Sequence, residues 1–298
     1  MERGLTTVPL KTKIAAMATA LTAAFTGVGM STTAEAAENG NVVVVGDSFT
    51  ANPDEVRNAV RGSALVQSSS VTNAWINNYP QNGGCLQAPD NWPRLLSQNT
   101  GVPVSDWSCT AQTSLGAVNR IDQAIKAGDI HPGTRAVVAA VGMNDFGPFG
   151  ILDGNIPFDL NGIHYNLKDN IRTIADKVRA IAPNAKIIIP GQLSISTANF
   201  PHAICPINVI PNQPAGLPGN TVHFVEEQNR HNQYWAAQGA GATFIDIMES
   251  SKYHDTCASD QERYVAGAID TTTPGRNMGL HPSRAGSEHI AQRVAEHL

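Results

Sequence analysis

The stretch Asn41-Val42-Val43-Val44-Val45-Gly46-Asp47-Ser48 decides the fold. A β-branched run that ends in glycine reads as a strand buried on both faces, the state of parallel strands covered by helices. Four further segments share this character: 102–108, 135–141 (RAVVAAV), 186–190 (KIIIP) and 243–247 (TFIDI). Helix-like patterns lie between them at 91–98, 115–127, 167–181 and 222–238. A final one over 287–298 places Ile290, Val294 and Leu298 on one face. Strands alternating with helices predict βαβ units around a parallel sheet. There is no internal repeat and no Pro/Ser-rich linker, so residues 37–298 read as one α/β domain. A domain of this size buries a sizeable core without needing disulfides to fold.

Upstream, residues 1–36 read as an export signal. Arg3, Lys11 and Lys13 precede an Ala-rich apolar stretch over 14–30, and small Ala34 and Ala36 suit a cut after Ala36. A membrane anchor is the competing interpretation, but the stretch is short, dotted with Thr and Gly, and ends in a cleavage-type sequence. No later run reaches the roughly 18 apolar residues of a spanning helix. The expectation is a secreted, extracellular protein, free or associated with the cell envelope, without stable membrane insertion. An even count of four cysteines, Cys85, Cys109, Cys205 and Cys257, then favours two disulfides, with three pairings open. No C-x-x-C pair is present, which disfavours zinc. Neither H-E-x-x-H, an EF-hand loop nor a P-loop occurs, so no metal and no cofactor is expected. The formal charge of −5 becomes −6 once the leader's three bases and two acids are removed, and this argues against nucleic acid as a partner. The protein is expected to be a monomer. Two irregular stretches, 146–162 and 196–219, have the length of functional walls or lids. Decorative loops, the second tied down through Cys205, are the alternative.

Three short blocks carry chemistry. Gly46-Asp47-Ser48-Phe49-Thr50 follows the first strand, and ligands of open parallel sheets bind beyond the carboxyl ends of strands. Taken alone, the triplet also describes a turn followed by a helix cap. Gly142-Met143-Asn144-Asp145 follows the third strand and offers the Asn144 amide as a donor to a developing oxyanion. An Asx-turn is its alternative role. Gly279-Leu280-His281-Pro282-Ser283 precedes the last helix and offers a base with a pKa near neutrality. One of nine histidines says little alone. The conjunction of the three blocks, in an order that one α/β domain can fold together, points to nucleophilic catalysis.

These blocks resemble the SGNH/GDSL hydrolases, and within them the secreted actinobacterial esterases and lipases. Cys85 to Leu96 (CLQAPDNWPRLL), Trp107-Ser108-Cys109-Thr110-Ala111, and Ala285-Gly286 after the His block extend the likeness over nearly all of residues 37–298. The resemblance implies a flavodoxin-like three-layer α/β/α sandwich with a central parallel sheet. It implies Ser48 as nucleophile of an acyl-enzyme on a carboxylic ester, and His281 as general base. The oxyanion would meet the Ser48 N–H, the Ala111 N–H and the Asn144 side chain. The implied disulfides are sequential, Cys85–Cys109 and Cys205–Cys257.

Two positions depart from the family pattern. Ala111 replaces a glycine, so its backbone donor survives only if the local φ/ψ suits a residue with a Cβ; Gly116 is the fallback. Met278 occupies the position of the usual catalytic aspartate. A main-chain carbonyl near Met278 or Asn277 is therefore expected to orient His281, with Asp270 as a substitute acid. Acyl transfer or deacetylation on cell-envelope glycans or lipids would use the same site. A decayed binding protein on the same fold is the reading from a different class. Phe49, Phe146, Phe149 and Phe200 are candidates for an acyl-binding wall on position alone.

Overall fold

The computed structural model describes residues 40–298; the export signal expected over 1–36 lies outside the described residues. β1 (Val42–Gly46) leads into a four-residue helix, α1 (Ser48–Ala51). Three short helices follow, α2 (Glu55–Val60), α3 (Ala64–Ser68) and α4 (Ser70–Asn77), then the hairpin of β2 (Gln81–Asn82) and β3 (Cys85–Leu86). Next come α5 (Trp92–Thr100), β4 (Val104–Asp106), α6 (Ser114–Ala127) and β5 (Ala136–Ala140). A 3₁₀ turn over Met143–Phe146 precedes α7 (Pro148–Leu152), α8 (Leu160–Ile181) and β6 (Lys186–Pro190). The chain closes with β7 (Ala203–Asn208), β8 (Ala215–Pro218), α9 (Asn220–Ala240), β9 (Thr243–Ile245), α10 (Ile247–Ser250), β10 (Ile269–Asp270) and α11 (Arg284–Ala295).

The central sheet has the order β4-β1-β5-β6-β9, parallel throughout. Counted along the chain this is 2-1-3-4-5, the flavodoxin-like order, which reverses direction at its first strand. The valine run explains why β1 is central. Val43 and Val45 point into one core with Val137, Ala139, Ile187 and Ile189. Val42 and Val44 point into the other with Ala136, Val138 and Ile188. Helices α6, α8 and α9 close the first core, and α5 and α11 the second. Side chains alternate across a strand, so a strand apolar at every position demands a covered layer on each face.

The five sheet strands lie within the segments expected from sequence. Helix α8 begins at Leu160 rather than near 167 because the Asp159 carboxylate accepts the Gly162 N–H at 2.9 Å and caps the extra turns. The stretch 196–219 contains the β7–β8 hairpin, and 146–162 contains α7. Between Thr50 and Asn91 lie three helices too short to show a periodic pattern. Among the described residues no helix is long and apolar enough to cross a membrane.

Disulfides join Cys85 to Cys109 and Cys205 to Cys257, the sequential pairing. The first ties β3 to the segment following β4, and the second ties β7 to the loop after α10. The first bridge closes a loop across a separation of 24 residues. Replacing both Cys85 and Cys109 by Ser is expected to lower the unfolding free energy by about 3 kcal/mol, the loop-entropy scale for such a span. Guanidinium titration of the wild type and the double variant measures it, and coincident midpoints would refute it.

Candidate active site

Ser48 is the first residue of α1 and is half-buried at the carboxyl end of β1, where the strand order reverses. Its neighbours hold the turn from both sides. The Asp47 N–H donates to the Ala140 carbonyl at 3.2 Å, and the Cys109 N–H donates to the Gly46 carbonyl at 2.9 Å. The Asp47 side chain accepts the Phe49 N–H at 2.9 Å, capping the helix. The Ser48 N–H belongs to the first turn, where a helix supplies no acceptor of its own.

Ala111 and Asn144 come together. The Asn144 side-chain amide donates to the carbonyl of Gln112 at 2.9 Å, one residue beyond Ala111. Ala111 adopts φ 65, the left-handed region, at a cost of roughly 1–2 kcal/mol for a residue with a Cβ. The glycine of the family pattern would take that conformation without strain, so the departure at Ala111 carries a backbone cost but keeps the geometry. The fallback, Gly116, is otherwise engaged: its N–H donates to the Thr113 hydroxyl at 3.0 Å, in the N-cap of α6. Beneath the Asn144 turn lies α9. Gln233 donates to the Val141 carbonyl at 2.9 Å, and Asn229 Oδ1 lies so close to Gly142 that a Cβ there would meet it at 2.3 Å. Gly142 also has φ 136, so only glycine fits this turn.

His281 enters from the other end of the chain. Its Nδ1 lies 2.7 Å from the Gly279 carbonyl oxygen. A carbonyl only accepts, so Nδ1 carries the proton and Nε2 presents a lone pair. Nε2 is buried and bonded to nothing among the described residues. The imidazole packs on Phe49, the residue after Ser48, with ring centroids 5.1 Å apart. The carbonyl that holds the ring is that of Gly279, the residue after Met278, in keeping with the main-chain carbonyl expected near Met278 or Asn277. Gly279 is needed there because a Cβ would lie 2.7 Å from the Ala268 carbonyl oxygen.

Asp270 is not the acid. It is buried, and it accepts the N–H groups of Gly267 at 2.7 Å and of Thr272 and Thr273, both at 2.9 Å. It also lies 3.7 Å from the buried guanidinium of Arg263. The carboxylate organises the segment that holds His281 instead: the Ala266 N–H donates to the His281 carbonyl, and the Leu280 N–H to that of Gly267.

Two residues that sequence reasoning passed over complete the frame. Asn52 caps α1 at φ 40, and its buried amide donates to the Pro282 carbonyl at 2.9 Å, joining the two loops directly. Asparagine tolerates the left-handed cap better than other side chains, so its position just after the Ser48 helix was an available signal. Asp47 is the second. Burial, with Asp145 adding to it, pushes its carboxyl up to about 7. Burial also pushes Asp145 to about 6 and, in α9, Glu226 to about 7. Desolvation lowers the pKa of His281, and the bond to Gly279 opposes it in part. Of the candidate wall residues, Phe49 lies against His281. Phe146 is in the 3₁₀ turn of Asn144, Phe149 is in α7, and Phe200 is exposed in the loop before β7.

The 2-1-3-4-5 order of this three-layer α/β/α protein places a serine at its switch point, with a histidine packed against the same loop. The GDSL-like lipase/acylhydrolase family model matches residues 44–289, and the chain belongs to that family; it is a carboxylic ester hydrolase. Phospholipase A1 from Streptomyces albidoflavus superposes with a TM-score of 0.55 at 16% identity, covering 87% of this chain and 98% of that one. The extracellular lipase of Streptomyces rimosus gives 0.51 at 14% identity, covering 86% and 99%. At such identities the likeness shows the fold alone. No protein of curated function matches in sequence.

The raised carboxyls set a pH dependence. Asp47, Asp145 and Glu226 keep their protons in the folded chain above the pH at which the unfolded chain, with values of 3.8 to 4.5, releases them. Their contribution is fully present below pH about 4 and is lost as pH rises through about 7, because folding takes up protons in that window. Asp47→Asn keeps an acceptor for Phe49 but removes one titration. Its Tm is expected to fall less than that of the wild type between pH 4.5 and 8. Parallel Tm curves would refute the buried-acid assignment.

Proposed function

We propose that the protein is an exported serine esterase that works through a Ser48–His281 dyad. What carries this reading is the state of His281, with Nδ1 committed to the Gly279 carbonyl and Nε2 buried, unpaired and beside the Ser48 loop. Ser48 Oγ attacks the ester carbonyl as His281 Nε2 takes its proton. The tetrahedral oxyanion is met by the Ser48 and Ala111 N–H groups and by the free N–H of Asn144. Collapse breaks the C–O bond, His281 protonates the departing alcohol, and water repeats the sequence on the acyl-enzyme. A carbonyl fixes the tautomer but brings no full charge to the imidazolium. Export is supported by the leader-like residues 1–36 and by two disulfides, which persist in oxidising compartments.

Labelling with a fluorophosphonate, read by peptide mass spectrometry, tests the assignment. A covalent adduct on Ser48 is expected, and Ser48→Ala should abolish p-nitrophenyl ester turnover while leaving Tm nearly unchanged. An unlabelled serine, under conditions that label a control esterase, would sink the proposal in favour of a binding protein. The profile of kcat/KM against pH reports the free enzyme's base. Burial lowers the His281 pKa from its ordinary value of 6.5, so the neutral base persists below that pH. The acid limb should therefore be centred below 6.5, and should remain there in Asp47→Asn. A limb above 7 would contradict a desolvated, carbonyl-held imidazole.

A further inference from the structure

We propose that the segment between Gly147 and Asp159 is a docking surface for a lipid aggregate with zwitterionic headgroups. The proposal rests on the esterase reading, since it says how that site would reach its ester. Helix α7 meets the body of the protein through Gly150, where a Cβ would lie 2.2 Å from the Asp145 carbonyl oxygen. With its small residue turned inward, the helix turns its large ones out. Phe149 and Ile151 are nearly half exposed, Leu152 is 82% exposed and Ile156 is 66% exposed. Phe158 is 97% exposed.

Phe158 is the most telling of these. It adopts φ 64, a conformation that a bulky side chain takes only against a steric cost. Nothing among the described residues buries its ring in return, and such local strain clusters at functional surfaces. The segment is also held rigidly. The Asn155 amide donates to the Asp145 carbonyl at 2.9 Å, the Asp153 carboxylate accepts the Thr113 hydroxyl, and Asp159 caps α8. These tethers hold the segment beside the Asn144 turn and the Thr113 cap of α6. The surface is therefore continuous with the proposed oxyanion site.

Charge selects the occupant. Between Arg135 and Lys168 the sequence contains no lysine or arginine, and the patch is bordered by the exposed carboxylates Asp153 and Asp159. An anionic membrane would be repelled. A phosphatidylcholine surface presents outward ammonium groups to these carboxylates and acyl chains to the apolar side chains between them.

The test is vesicle flotation of wild type and Leu152→Ser/Phe158→Ser, with phosphatidylcholine and phosphatidylglycerol vesicles. It is read beside Tm, sedimentation and turnover of water-soluble p-nitrophenyl acetate. The wild type should float with phosphatidylcholine and more weakly with phosphatidylglycerol. The double variant should lose at least about tenfold in partitioning, the scale set by withdrawing two large apolar side chains from a buried state. Its Tm and its turnover of the soluble ester should be unchanged. Four results would overturn the proposal: no wild-type flotation, equal flotation by the variant, preference for the anionic vesicle, or a wild-type dimer that the substitutions dissociate. If Ser48 is neither labelled nor needed while flotation follows the expected pattern, the esterase reading fails and the docking surface stands. Soluble turnover without flotation gives the reverse.

Discussion

β1 is hydrogen-bonded on both sides up to Gly46, and its neighbours go on gripping the chain after the strand has ended. The Cys109 N–H reaches back to the Gly46 carbonyl, and the Asp47 N–H reaches the Ala140 carbonyl. These two bonds are what convert a buried strand into a fixed platform for Ser48. They come from opposite neighbours, so the turn cannot pivot toward either. The Cys85–Cys109 bridge then anchors one of the two grips, and the Asn144 turn continues directly from the strand that supplies the other. Both flanking segments carry a proposed oxyanion donor, so the sheet's own hydrogen bonding sets the relative position of nucleophile and donors.

The histidine arm is built on different principles. It lies on the 264–267 segment, whose shape depends on a buried Arg263 paired with Asp260 and Asp270. A buried ion pair survives removal from water best when its remaining lone pairs and protons are bonded; here Thr272, Thr273, Gly267 and the Ala258 carbonyl supply partners, and Arg263 Nε is left without one among the described residues. An aspartate close to the histidine in sequence is therefore consumed in architecture, and a carbonyl orients the ring. On the proposed assignment, the imidazolium would lack a full opposite charge, and the carboxylate instead holds the scaffold under the ring.

Much of this was legible in the amino-acid sequence, for physical reasons that differ from part to part. The valine run announced a doubly covered strand because burial on both faces leaves no position for a polar residue. The Gly46–Thr50, Gly142–Asp145 and Gly279–Ser283 blocks were visible because tight turns at strand ends and helix starts need particular residues. The cysteine pairing came from family resemblance, since spacing alone left it open. Other features were hidden. A main-chain carbonyl near Met278 was expected and Gly279 supplies it, but the close approach of Ala268 that demands glycine there is a tertiary contact no local pattern reveals. The support from Asn229 and Gln233, polar residues on an otherwise ordinary helix, depends on which face of α9 meets the sheet. The small β7–β8 hairpin falls in a Pro- and Asn-rich stretch whose propensities argue against strands, and the disulfide at Cys205 fastens it in place.

The bond from Asn52 to the Pro282 carbonyl joins residues 230 positions apart. On the proposed assignment, the nucleophile is among the first residues of the domain to be synthesised and the base among the last. A chain emerging from the ribosome or crossing a membrane holds Ser48 for nearly its whole passage without the group that would arm it. Native contacts this distant in sequence also form late, because closing a long loop costs entropy before it yields any gain. On that assignment the order of residues acts as a built-in delay, leaving Ser48 without its base until the His281 segment has been made and has folded against it.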